Sequence, residues 1–167
     1  MDDNCTTYLI DTNIILSTVI KGKLPRRCLE TCVSRYLVPK YVVDELIELL
    51  STEEFQEIVS RIKKKLDLGK ISLEELLSKE IELIAILLRA RVQFIDVKPD
   101  KDSLIRAEEI VGYRDPDDIP ILAIALQLAK THKDEKICIW TNDDDILDEL
   151  PKHRQHIKAV TKPHCCK

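Results

Sequence analysis

Short apolar runs alternate along the chain with longer stretches in which apolar residues recur every three or four positions. The runs read as strands and the periodic stretches as helices. Thr7-Tyr8-Leu9-Ile10 is a β-type run that stops at Asp11. Ile14-Ile15-Leu16 with Val19-Ile20 suits a first helix, and Pro25 marks the start of another that carries Cys28-Leu29 and Cys32-Val33. Tyr36-Leu37-Val38, closed by Pro39, predicts the next strand, and residues 41–50 the next helix. Residues 53–68 form an amphipathic pattern ended by Gly69, and Ser72 with Glu75 makes a capping box for a helix reaching about residue 90. A strand is predicted over 92–97 and a short helix over 102–111. Residues 119–129 are apolar nearly all round, which marks a buried helix. Ile137-Cys138-Ile139-Trp140 is a fully apolar strand, Ile146, Leu147 and Leu150 begin a short helix, and 157–160 suits a final edge strand.

Strands that alternate with helices predict an α/β fold, a sandwich on a mainly parallel central sheet. In such sheets ligands bind outside the carboxyl ends of the strands. The chain has 167 residues, no internal repeat and no Gly/Ser linker, so one domain over 1–167 is expected. Within it lie a helical stretch at about 53–90 and a short tail at about 162–167.

Composition narrows the class. Hydrophobic residues at 44% and charged residues at 34% exclude a disordered chain. No apolar run reaches membrane-spanning length, and the acidic start Met1-Asp2-Asp3-Asn4 is unlike a signal peptide, so a cytoplasmic protein is expected. The net charge of −4 counts mildly against a nucleic-acid binder, which is usually basic. Local basic runs remain at Arg26-Arg27, Lys63-Lys64-Lys65 and Lys152-His153-Arg154. The six cysteines show no zinc-type pairing and are expected as buried free thiols plus a frayed tail.

The chemistry concentrates in four acidic places. Two apolar strands stop at Asp-bearing loops, Asp11-Thr12-Asn13 and Thr141-Asn142-Asp143-Asp144-Asp145. If both strands are central and parallel, their carboxylates emerge on one edge. A third group, Asp115-Pro116-Asp117-Asp118, directly precedes the buried helix; with Asp117 as N-cap, Pro120 falls at the third helical position, where its missing N–H costs little. Glu45 lies in the helical run Val42-Val43-Asp44-Glu45-Leu46-Ile47. Each has an ordinary explanation as a cap or surface charge, but gathered at one edge they repel one another unless they bind a hard cation. Mg2+ and Mn2+ prefer oxygen ligands and bridge carboxylates to phosphates, and such an ion activates water against a phosphodiester.

Taken in order, these motifs resemble the PIN-domain family. Ile10-Asp11-Thr12-Asn13 resembles its opening motif, and Val43-Asp44-Glu45-Leu46 its glutamate-bearing helix. Asp115-Pro116-Asp117-Asp118 followed by Ile121-Leu122-Ala123-Ile124-Ala125 resembles its third motif, and Trp140-Thr141-Asn142-Asp143-Asp144-Asp145 its fourth. The resemblance spans about residues 7 to 160. It implies a three-layer α/β/α sandwich and Mg2+- or Mn2+-dependent cleavage of phosphodiester bonds, usually in RNA. It maps Asp11, Glu45, Asp118 and Asp143 onto the family's catalytic and metal-binding acids, with Asp145 accessory, Thr141 orienting and Asn13 supporting the first loop. Asp115 competes with Asp118 for the third position. An RNA substrate, a protein partner such as an antitoxin, and a homodimer are the partners this resemblance suggests, with no membrane.

The connection between the second and third motifs is long and highly charged, unlike the shorter one of many compact toxin-type members. An endoribonuclease is therefore the first expectation. A VapC-type toxin with a cognate antitoxin is the second, and a catalytically silent scaffold binding RNA or protein the third. A haloacid-dehalogenase-type phosphatase would need an Asp at position 13, where Asn13 stands.

Overall fold

The computed structural model describes residues 5–15, 34–50, 92–153 and 156–164. The helices expected at 53–68 and 73–90, the segment beginning at Pro25, Lys63-Lys64-Lys65 and the end of the tail lie outside them.

Five strands form one sheet: β1 (Thr7–Ile10), β2 (Arg35–Pro39), β3 (Gln93–Ile95), β4 (Ile137–Trp140) and β5 (Lys158–Val160). Their order is β3-β2-β1-β4-β5, and every pairing is parallel. The chain moves outward from β1 to β2 and β3, then returns to lay β4 on the other side of β1. The sheet thus reverses direction between β1 and β4, the place where α/β sheets open a crevice at their carboxyl ends. Ile10 pairs with Trp140, so Asp11 and Thr141 leave the sheet in step.

Alternation along the strands builds two apolar layers. Leu9, Leu37, Ile137 and Ile139 pack on one side against α2 (Lys101–Val111), α3 (Ile119–Thr131) and α4 (Asp144–Glu149). Tyr8, Ile10, Tyr36, Val38, Cys138 and Trp140 face the other side, with Ile14, Ile15, and Val42 and Leu46 of α1 (Lys40–Leu50). Helices on both faces bury β1 and β4 completely, which is why both are apolar apart from Thr7. Each Leu or Ile buried this way contributes roughly 1.5–3 kcal/mol. The architecture is the expected α/β/α sandwich on a parallel sheet. No helix among the described residues is long and apolar enough to cross a membrane.

Three local expectations are corrected. The strand predicted over 92–97 contracts to Gln93–Ile95 at the sheet edge, where Gln93 and Phe94 are exposed. Asp117 is not the N-cap of the buried helix. Asp115 caps a 3-10 turn, Pro116–Asp118, by accepting from the Asp117 N–H at 2.9 Å, and Asp118 itself precedes α3. Pro116 at the turn's start shifts the capping role two residues upstream, because the turn's own first N–H groups need it. Cys5 and Cys138 are joined as a disulfide rather than free, with Cα atoms 5.9 Å apart. Parallel pairing brings residues 133 positions apart together, a proximity that cysteine spacing does not reveal. Cys28, Cys32, Cys165 and Cys166 lie outside the described residues.

Candidate active site

The site begins where β1 stops. The Asp11 N–H donates to the Trp140 carbonyl at 3.0 Å, extending the β1–β4 ladder by one residue. This holds the Asp11 side chain, 9% exposed, between the two loops. Its Oδ1 accepts from the Thr12 N–H at 2.7 Å, and its Oδ2 accepts from Thr141 Oγ1 at 2.7 Å and Asn13 Nδ2 at 2.9 Å. Burial pushes the Asp11 carboxyl above the usual range; the bonds from Thr141 and Thr12 oppose that, and the charges of Asp143 and Glu45 add to it.

Thr141 is the joint of this half. It is fully buried, donates to Asp11, and accepts from the Asp143 N–H at 2.9 Å and from Asn13 Nδ2 at 3.1 Å. Asn13 Oδ1 in turn accepts from the Asn142 N–H at 3.0 Å. Asp143 starts α4 as an N-cap, its Oδ1 accepting from the Asp145 N–H at 2.8 Å. Glu45, exposed on α1, reaches the first loop by accepting from Thr12 Oγ1 at 2.7 Å.

The other half is built at the start of α3. Asp118 is 8% exposed, and its Oδ2 is buried without a hydrogen-bond partner among the described residues. Its carboxyl is pushed up to about 7, first by burial and then by the charges of Asp143, Asp11, Asp115 and Asp145. One carboxylate oxygen from each of Asp115, Asp118 and Asp145 lies within 4.8 Å of the others. Arg114 Nη1 meets Asp145 Oδ1 at 2.9 Å, and Arg114 Nη2 meets Glu149 Oε1 at 2.9 Å.

The structure therefore brings the expected acids to one end of the sheet, in two groups. Asp11, Asn13, Thr141 and Asp143 form a hydrogen-bonded set that Glu45 joins through Thr12. Asp118 brings one oxygen within 4.8 Å of Asp115 and Asp145, the two expected in supporting places, while Asp143 and Asp11 are the charges that act on it most. Three further residues carry no sequence signal. Tyr41, on α1, has its hydroxyl pushed upward by burial and then by the charges of Asp11, Glu45 and Asp118. Arg114 and the buried Glu149 complete the acidic edge. Their contacts join residues about one helix apart, and only charge spacing along an alignment would reveal such pairs.

A buried carboxylate with an unpartnered oxygen and a proton affinity raised by four like charges lacks positive charge. The donor set is all oxygen, which suits a hard divalent cation such as Mg2+ or Mn2+. Asp115, Asp118 and Asp145 are the residues placed to hold one, with Asp11 and Asp143 near enough to act on Asp118 electrostatically.

A family model described as PIN domain matches residues 9–158. No curated protein and no solved structure matches the chain.

Proposed function

The chain belongs to the PIN-domain family, whose members are generally nucleases that use divalent metals, and we propose that it is a Mg2+- or Mn2+-dependent endonuclease acting on single-stranded or structured RNA. The observation that carries this reading is Asp118, a buried carboxylate with an orphaned oxygen inside an acidic cluster at the carboxyl end of a parallel sheet. A structural carboxylate would have been given a partner; a charge left unpaired is suited to a ligand that brings its own positive charge.

When bound, such an ion supplies Lewis-acid polarisation of a phosphoryl oxygen and a more acidic water. The chain's own residues supply the frame. Thr141, Asn13 and the Thr12 N–H fix both oxygens of Asp11, so that carboxylate keeps one orientation with one lone pair of Oδ1 left for a ligand. Thr12 Oγ1 fixes Glu45 likewise across the cleft. Burial and the surrounding carboxylates push the Asp118 carboxyl up to about 7, and a bound cation would favour its charged form again. The proposed roles are catalytic and metal-binding for Asp11, Glu45, Asp118 and Asp143, with Asp115 and Asp145 sharing the metal side and Asn13 and Thr141 positioning.

The test is cleavage of a labelled, mixed-sequence single-stranded RNA in Mn2+, in Mg2+ and in EDTA, beside Asp11→Asn and Asp118→Asn. Metal-dependent cutting that both variants lose supports the reading. Cutting that survives in both places the chemistry elsewhere, and a folded wild type that never cuts rejects the nuclease.

A further inference from the structure

Glu149 sits at the end of α4 and is 2% exposed. It gathers two cations, Arg114 Nη2 at 2.9 Å and Lys152 Nζ at 2.7 Å, and the neighbouring Tyr113 hydroxyl is pushed upward by it. This solves the problem of a buried carboxylate, which needs charged and hydrogen-bonded partners. It leaves another feature unexplained. The Tyr113 ring is 68% exposed, more than the other exposed large apolar side chains among the described residues. It stands beside Arg114, whose other arm holds Asp145 of the carboxylate cluster.

An aromatic ring with its faces in water offers a flat surface on which a base can stack. Arg114 has five N–H donors, more than its contacts with Asp145, Glu149 and Tyr113 require. Lys152, with its side chain 57% exposed, presents an ammonium on the same anchor. A stacking face flanked by two cations is the chemistry that receives a nucleotide of a single strand. Tyr8, Tyr36 and Trp140 are buried in the core and offer no such face.

We propose that Tyr113, Arg114 and Lys152 form a subsite for a nucleotide next to the scissile phosphate of single-stranded RNA: its base stacks on the Tyr113 ring, and its phosphate meets Arg114 and Lys152. The proposal rests on the endonuclease reading of the neighbouring carboxylates. Stacking of this kind tolerates any base, so the subsite selects unpaired strands rather than a sequence.

The experiment measures binding of a 5′-fluorescein RNA decamer by anisotropy, using the full chain with Asp118→Asn to prevent cutting. The decamer is compared with versions carrying one abasic nucleotide at each position in turn. At one position the abasic change weakens binding roughly tenfold. Tyr113→Ala weakens the intact decamer by a similar factor and abolishes the sensitivity to that abasic position. Tyr113→Phe keeps the sensitivity, because the ring remains. Lys152→Ala lowers the slope of log affinity against log salt by roughly 0.7, the loss of one phosphate contact. Melting curves confirm that each variant is folded. An unchanged abasic penalty in Tyr113→Ala overturns the subsite, as does failure to bind the decamer at all. The two readings separate cleanly. Metal-dependent cutting by the wild type without Tyr113–base coupling leaves the nuclease and removes the subsite. Coupling without cutting keeps the subsite and removes the nuclease.

Discussion

The two halves of the acidic edge treat buried charge in opposite ways. Around Asp11 both carboxylate oxygens are occupied by donors from Thr12, Asn13 and Thr141. Around Asp118 burial is as deep, yet one oxygen has no partner among the described residues and four carboxylates act on it. The first half is satisfied by the fold alone. The second is left unsatisfied, so its electrostatics call for a cation. On the β1–β4 side the fold's own donors orient the carboxylate, whereas the start of α3 leaves a carboxylate oxygen without a donor among the described residues.

The comparison breaks most visibly if the same change is made in each half. Asp11→Asn and Asp118→Asn should each lower metal-dependent RNA cleavage by roughly a thousandfold. Their effects on stability should have opposite signs. At Asp11 an amide keeps one acceptor oxygen but turns its NH2 toward the donors on the other side, at least the Thr12 N–H, which costs about 1–2 kcal/mol. At Asp118 the amide relieves uncompensated charge. A full shift to about 7 is worth up to ~4 kcal/mol. Screening at the solvent-facing rim reduces the expected gain to roughly 2 kcal/mol. Urea melts in EDTA read both, and equal signs would mean that the two halves do not differ as described.

A pH series isolates the second half without a mutation. Asp118 has a raised carboxyl, so the folded chain holds a proton that the unfolded chain releases. In EDTA the protein should therefore gain stability as pH falls from about 7 toward about 4. Saturating Mn2+ should remove the gain, since the ion competes with the proton. The Asp118→Asn chain should keep only the smaller slope of the same sign that Asp11, also raised by burial, contributes, and a full wild-type slope in that variant would assign the effect away from Asp118.

Next in size is Thr141→Val, which keeps shape and removes the hydroxyl joining Asp11, Asn13 and the Asp143 N–H. It should cost about 2 kcal/mol in stability and 10–100-fold in cleavage, with Thr141→Ser restoring most of both. A Val variant that cuts at the wild-type rate would show that the first half needs no such joint.

These halves were not equally legible in the chain. The strands that bear Asp11 and Asp143 are short, apolar and stopped by Asp, so their place at a sheet edge followed from pattern alone. The third group was found, but its internal assignment was missed. Pro116 makes a 3-10 turn with its own cap, and simple helix-start rules place the cap on Asp117 instead of Asp115. Tyr41, Arg114 and Glu149 went unassigned because each acts through residues on another element. Periodicity reports which face is buried; it does not report which charge waits beneath. The Cys5–Cys138 pair was hidden for the same reason, since it depends on strand order.

The smallest effect comes from a cap remote from both halves, and it serves as their control. Asp100 caps α2 by accepting from the Ser103 N–H at 2.8 Å and pairs with Lys130 at 2.7 Å, which together hold its carboxyl down to about 2. A carboxyl held low adds stability above the unfolded value near 4 and loses it only as pH falls toward about 2, below the window in which Asp118 titrates. Asp100→Ala should lower the melting temperature by about 2–4 °C at pH 7 and leave the slope between pH 7 and 5 intact. Cleavage should not change. If Asp100→Ala altered the slope or the cleavage rate, the acidic edge would be coupled to α2 through packing, and the division into a satisfied and an unsatisfied half would have to extend beyond the carboxyl end of the sheet.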